Sequence, residues 1–195
     1  WGLVYILFLN SELATSNMMY LTAGVYQKNI RLSKAVTILL YCGIFNLIGA
    51  MIIGAAFAHS AAFNAMDVQH FIVHLVQGKA LRGNGQVLLE AVLANIFVNV
   101  AILAFLLIKD DAAKMWIIIS AIFMFVFLGE EHVVANFASF SIVKFSAVSS
   151  SLEFMNWFNL IRHWVVAFIG NTIGGGVIVG LAYAFLNKTK SVYHE

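Results

Sequence analysis

One stretch sets the terms for the whole chain. Residues 115–143 open with fifteen uncharged residues, MWIIISAIFMFVFLG, then meet Glu130, Glu131 and His132, and continue as VVANFASFSIV. As a single segment this is long enough to cross a bilayer, yet three titratable groups stand at its middle, where hydrocarbon makes charge costly. Two structures avoid that cost. Either the segment is a broken helix whose irregular turn lines a protein-enclosed cavity, or it is an ordinary helix that ends at Gly129 and does not cross. Recurrence favours the first, because the uncharged run WGLVYILFLNS is followed by ELATSN at 12–17, as the later run is followed by EHVVAN at 131–136.

Composition agrees with a bilayer. The chain is 62% hydrophobic and 10% charged with a mean hydropathy of +0.92, and its apolar residues come in long blocks. That places it among integral membrane proteins. A net charge of +2 with scattered basic residues excludes a nucleic-acid surface. The one cysteine, Cys42, lies inside an apolar block, so neither a disulfide framework nor a cysteine metal site is available.

The other spans are simpler. Residues 36–58, 87–108 and 164–186 are apolar runs of crossing length, with Asn46 in the first, Glu90, Asn95 and Asn99 in the second and Asn171 in the third. Only about ten apolar residues precede Glu12, too few to span alone, which predicts a further helix ahead of Trp1. A second echo links FNLIG at 45–49 to IGNTIG at 169–174, each following its Glu-containing element. The predicted architecture is therefore an all-α polytopic membrane protein in one domain, 1–195. Three-helix units repeat in inverted orientation, aquaporin-like, with two broken helices and the first helix missing; 1–58 is the rest of the first repeat and 87–186 the second.

Alternating the connections across the membrane places Lys28, Arg31, Lys34, Lys109, Lys114, Lys188 and Lys190 on one face, and Lys79, Arg82, Lys144 and Arg162 on the other. The positive-inside tendency makes the first face cytoplasmic, with the C-terminus on it, in a multi-pass protein of the cell membrane. On the outer face, residues 67–76 carry Val68, Phe71, Ile72, Leu75 and Val76 at helical spacing and predict a short interfacial helix.

Several tempting signals carry less. His70 and His74 are four apart with His59 nearby, but no further ligand stands at a defined spacing, so they read as interfacial histidines and no metal or cofactor is expected. Asp110 and Asp111 read as solvated loop charges, and Tyr193, His194 and Glu195 as a frayed tail. The glycine pairs 170/174 and 176/180 let another backbone approach closely. Asn46, Asn95, Asn99 and Asn171 are polar packing residues whose amides need interhelical or break-capping partners, because an unpaired amide at membrane depth costs on the order of a few kcal/mol.

His132 is the candidate pore group, with a satisfied core histidine as the bland alternative. Its neutral ring can donate a hydrogen bond to an anion or accept a proton. Phe125, seven residues earlier and so about two helical turns away, is placed to constrict the same passage. Leu13, Ala14, Thr15 and Met18 offer a narrow lining in the first break. Glu12 and Glu131, with Asn17 and Asn136, are expected to anchor the broken segments, the carboxylates by accepting from backbone N–H groups.

The residues that carry these readings also carry a resemblance. SELATSNMM at 11–19, FNLIGA at 45–50, EAVLANIFVNVAILA at 90–104, GEEHVVANFASF at 129–140 and IGNTIGGGVIVGLAY at 169–183 resemble the formate/nitrite transporter family in order and over essentially the whole chain. The resemblance implies a homopentamer in the lipid bilayer with one pore per protomer, passing formate, nitrite or hydrosulfide. It makes His132 with Glu131 the pore histidine and its acidic neighbour, and Phe125 the aromatic constriction. Leu13 to Ser16 form the loop of the first broken helix, and Met18 stands near its constriction.

Two departures stand out. The family's outer-funnel lysine falls opposite Gly83 without gaps, so Arg82 is expected to replace it, with Lys79 second. Ala14 stands where the family often carries an aromatic. The implied activity is passage of a small monovalent anion, formate first, passive or coupled to a proton. A non-conducting structural membrane protein is the alternative, and a membrane-embedded enzyme is disfavoured because no nucleophile or cofactor motif accompanies Glu131 and His132.

Overall fold

The computed structural model describes residues 1–188; the tail residues Tyr193 to Glu195, and Lys190 of the charge tally, lie outside the described residues. In chain order the elements are α1 (Gly2–Phe8), α2 (Ala14–Tyr26), α3 (Leu32–Ala58), α4 (Phe71–Ala80), α5 (Asn84–Leu107), α6 (Asp111–Phe127), α7 (Val133–Phe145), α8 (Trp157–Asn171) and α9 (Ala182–Lys188). Two short 3-10 turns precede α8, and a π-helical segment, Thr172–Leu181, joins α8 to α9. The described chain is all-α.

Among the described residues, three continuous helices are long and apolar enough to cross a membrane: Leu32–Ala58, Asn84–Leu107 and Trp157–Lys188. The two remaining crossings are each broken, α1 from α2 at residues 9–13 and α6 from α7 at residues 128–132. α3 buries only Ala35, Gly43, Gly54 and Ala58, leaving Leu40, Ile44, Ile48 and Ile52 exposed. Fully burying one such side chain is worth about 2 kcal/mol, so a face of this kind is stable only against lipid or another protein surface.

Side chains start the helices where the sequence supplies acceptors. Asp110 accepts from the N–H of Ala113 and Asn156 from that of Asn159, each satisfying a donor that the first helical turn leaves open. The interfacial helix differs from its prediction. It begins at Phe71, because His70 caps it by accepting from the N–H of Ile72, and it extends through Ala80. Its buried face is Ile72, Val73, Val76, Lys79 and Ala80, so Val68, Phe71 and Leu75 lie on the exposed side instead.

Packing between the halves is reciprocal. α3 of the first half lies on α7 of the second, while α2 of the first half lies on the π-helical segment of the second, the exchange that an inverted repeat requires. Glycine makes the second contact possible. A Cβ added at Gly176 would stand 2.8 Å from the Thr22 hydroxyl and 3.1 Å from the Met18 carbonyl oxygen, and one at Gly180 would stand 2.9 Å from the carbonyl oxygen of Met19, all in α2. At Gly170 and Gly174 it would meet Leu88 and Val92 of α5. Residues 174 and 176 are two apart and so face opposite sides of the helix, which is why the pairs 170/174 and 176/180 serve different helices.

Two apolar clusters fill the interior. One gathers Val76, Phe137, Phe140, Leu160 and Trp164, the other Val98, Ile102, Ile118, Phe125 and Val179, and Val134 at the start of α7 packs on both.

Candidate functional site

Each break is held by the same pair of devices. In the first, the Asn46 side chain from α3 accepts from the N–H of Ala14 at 2.9 Å and donates to the carbonyl of Glu12 at 3.2 Å. In the second, the Asn171 side chain from α8 accepts from the N–H of Val133 at 2.8 Å and donates to the carbonyls of Glu131 at 2.9 Å and Ala91 at 2.7 Å. A single amide thus satisfies one donor and one acceptor that the interrupted helix leaves open.

The second device is a carboxylate clamp. Asn17 donates to the Glu12 carboxylate and Asn136 to the Glu131 carboxylate, both at 2.6 Å and both five residues along. This corrects the expected anchoring, since these carboxylates take side-chain donors and the backbone N–H groups turn to Asn46 and Asn171. The reason is geometric. The asparagines of the neighbouring helices reach the open N–H groups, while each glutamate carboxylate is held by the asparagine five residues along.

The two broken crossings meet at His132 and at Thr15, which lies in the first turn of α2, so the loop expected over Leu13 to Ser16 ends instead at Leu13. The Nδ1 atom of His132 accepts from the N–H of Ala135 and caps α7, which leaves the proton on Nε2 in a neutral ring. That Nε2–H donates to the Thr15 hydroxyl at 2.9 Å, across 117 residues of sequence. The Asn95 amide of α5 donates to the carbonyls of Thr15 at 3.1 Å and Asn171 at 2.7 Å, tying the two breaks together. Asn99 donates to the Thr15 carbonyl at 3.3 Å. Leu13, Ala14, Thr15 and Met18 are buried beside this junction.

Phe125 lies against His132 with ring centroids 5.7 Å apart. The predicted reason for that proximity does not hold, because α6 ends at Phe127 and helical spacing does not run through to His132. The rings meet across the irregular turn at residues 128–132, in which Gly129 has a φ of +74°, a conformation that glycine adopts without strain.

Outside this junction opens a cavity of about 390 Å³, walled by Lys79, Arg82, Phe125, Glu130, His132 and Asn136 among others. Behind it the fully buried Glu131 receives Lys79 at 2.9 Å and Arg82 at 2.6 Å. Arg82 also pairs with Glu90 of α5 and donates to the carbonyl of Gly129 at 2.8 Å, while Lys79 donates to that of Glu130 at 2.8 Å. The choice between the two cations therefore gives way to a shared arrangement in which both stitch the break. A buried carboxylate is tolerable only with such partners, because losing one leaves an uncompensated charge.

Sequence reasoning missed His163. It is fully buried on α8, with Nε2 3.4 Å from the Glu131 carboxylate and its ring 4.9 Å from that of Phe140. The apolar run begins at residue 164, whereas α8 starts at Trp157 and carries His163 into the core. The spacing of His163, Ala167, Gly170 and Asn171, one helical face, was the available signal. Arg162 enters the sequence reading only as a charge on the outer face; in the fold it donates to the carbonyl of Ala80 at 2.8 Å and pairs with Asn84, fixing the turn that carries Arg82. The interfacial histidines stay apart from this site except His74, which lies on the cavity wall and bonds Gln69.

With this geometry in place, similarity to known proteins is informative. The family described as formate/nitrite transporter matches residues 1–185. A formate channel of Bacillus thuringiensis is 31% identical over 182 residues, which are 93% of this chain and 68% of that one. Among solved structures, an ion channel of the same family superposes with a TM-score of 0.85 at 24% identity, covering 93% of this chain and 72% of that one. A pentameric formate channel with formate bound gives 0.78 at 21% identity, covering 96% and 80%.

Proposed function

Because the chain belongs to the formate/nitrite transporter family, we propose that it passes small monovalent anions, formate first among them, passively or coupled to a proton, through a passage running from the outer cavity past Phe125 to the Thr15–His132 junction. The chain is a multi-pass membrane protein of a channel or transporter family and not an enzyme. The observation that carries the reading is the junction itself, where two broken helices bring a hydroxyl and a neutral imidazole N–H together at 2.9 Å. Broken helices expose backbone and side-chain donors at membrane depth only where protein encloses them, and such donors offset part of an anion's desolvation.

Lys79 and Arg82 stand at the outer cavity, where pairing with Glu131 and Glu90 cancels most of the pull on an anion expected of them; Phe125 and Met18 narrow the path, and His132 with Thr15 offers hydrogen bonds in the dry stretch between. Formate takes first place because of the Bacillus thuringiensis relative; nitrite and hydrosulfide present the same charge at similar size. The protomer works in a homopentamer, with its C-terminus in the cytoplasm on the side richer in lysine and arginine.

The test is flux. Full-length protein in liposomes should dissipate an imposed formate gradient well above empty liposomes, with nitrite and hydrosulfide competing. Flux at the empty-liposome level for all three anions would remove the reading and leave a structural role.

A further inference from the structure

The outer cavity holds one carboxylate that the network around it does not neutralise. Lys79 and Arg82 are committed to Glu131, and Arg82 to Glu90 as well, so two cations face two paired carboxylates. Glu130 stands beside them on the cavity wall. Its backbone carbonyl accepts from Lys79, but its Oε2 is buried without a hydrogen-bond partner among the described residues. An ionised Glu130 therefore leaves the cluster with an excess negative charge in the space that an anion has to enter. Like charges that share a partly enclosed cavity oppose one another.

We propose that Glu130 is a proton-binding site controlling anion entry. As a carboxylate it repels the anion; with a proton taken from the outer solution it becomes a neutral acid whose O–H donates a hydrogen bond to the anion in the cavity. The inference rests on the anion-transport reading and adds to it a gating group separate from the Thr15–His132 junction.

The other titratable groups of the surroundings are accounted for. α4 contributes Lys79, bound to Glu131, and His74, bonded to Gln69. The turn before α5 contributes Arg82 and α5 itself Glu90, paired with each other. The second break contributes Glu131 and His132, the latter bonded at both ring nitrogens. From α8, His163 stands behind Glu131, and Arg162 is occupied by the α4–α5 turn. Among the described residues, His74 is thus the one rival on the cavity wall.

Formate influx into liposomes carrying the full-length protein, measured against outer pH at constant formate anion, decides the matter for wild type, Glu130→Gln, Glu130→Asp and His74→Gln. Wild-type flux should fall from mildly acidic to mildly alkaline solution. Glu130→Gln should keep the acidic-side flux and lose most of the fall, ending about tenfold above wild type on the alkaline side, the scale on which a local field changes ion entry. Glu130→Asp, which keeps the carboxylate, should keep the fall and so shows that the glutamine result is not a packing effect. An unchanged fall in Glu130→Gln, or its loss in His74→Gln alone, overturns the proposal while leaving anion transport intact. No wild-type flux at any pH overturns both.

Discussion

At the scale of residues, the site is built on amides. Asn46, Asn171, Asn17 and Asn136 hold the breaks, and Asn95 joins them, so the N–H groups of Ala14 and Val133 and the carbonyls of Glu12 and Glu131 find side-chain partners. Thr15 is the point where this network meets the passage, because its hydroxyl receives the His132 proton and its carbonyl receives Asn95. Thr15→Val keeps the shape and removes the hydroxyl, leaving the imidazole N–H without an acceptor. Losing a hydrogen bond of this kind costs about 1–3 kcal/mol. Formate flux should fall roughly tenfold or more and the thermal midpoint in detergent should drop with it; Thr15→Ser should retain most of both. Equal flux in Thr15→Val and wild type would take the hydroxyl out of the path.

At the scale of elements, the π-helical segment Thr172–Leu181 decides how the halves fit. Its glycines let α2 and α5 approach from two sides, and the tolerance is small. A Cβ on Gly174 would stand 2.1 Å from the Val92 carbonyl oxygen, a backbone atom that cannot swing aside. Gly174→Ala should therefore lower the thermal midpoint of the solubilised protein markedly, since overpacking of this kind costs about 1–3 kcal/mol even where neighbours adjust. A Cβ on Gly49, in α3, meets nothing within 4 Å. Gly49→Ala should leave the midpoint unchanged or slightly raised, following helix propensity. Similar midpoints for the two variants would refute the close-packing role of the π segment.

At the scale of the whole molecule, the apolar exterior matters most. Between α3 and α8 runs a cavity of about 490 Å³ lined by Leu40, Leu47, Trp157 and Phe168 among others, with Phe137 and Trp164 of the core at its floor. Lipid or a neighbouring protomer completes such a surface. The proposed homopentamer predicts that full-length protein extracted in mild detergent has a mass, measured by light scattering, of five chains. A dominant monomer or dimer with active flux would rule the pentamer out.

Much of this molecule was legible in the sequence because the signals are local. Apolar runs announce crossings by length alone, and the charges at 130–132 mark a break because hydrocarbon does not tolerate them in a continuous helix. The recurrence of a glutamate five residues before an asparagine, and of an asparagine further along, disclosed the repeat without any coordinates. Partner choice was not legible. That Asn171 reaches the Glu131 carbonyl 40 residues away, that Thr15 meets His132, and that Lys79 and Arg82 share Glu131 depend on how helices cross, which no spacing along one segment encodes. His163 stayed hidden for the same reason: at the edge of an apolar run its burial is set by the helices packed around it, and only the folded chain brings a carboxylate to its side.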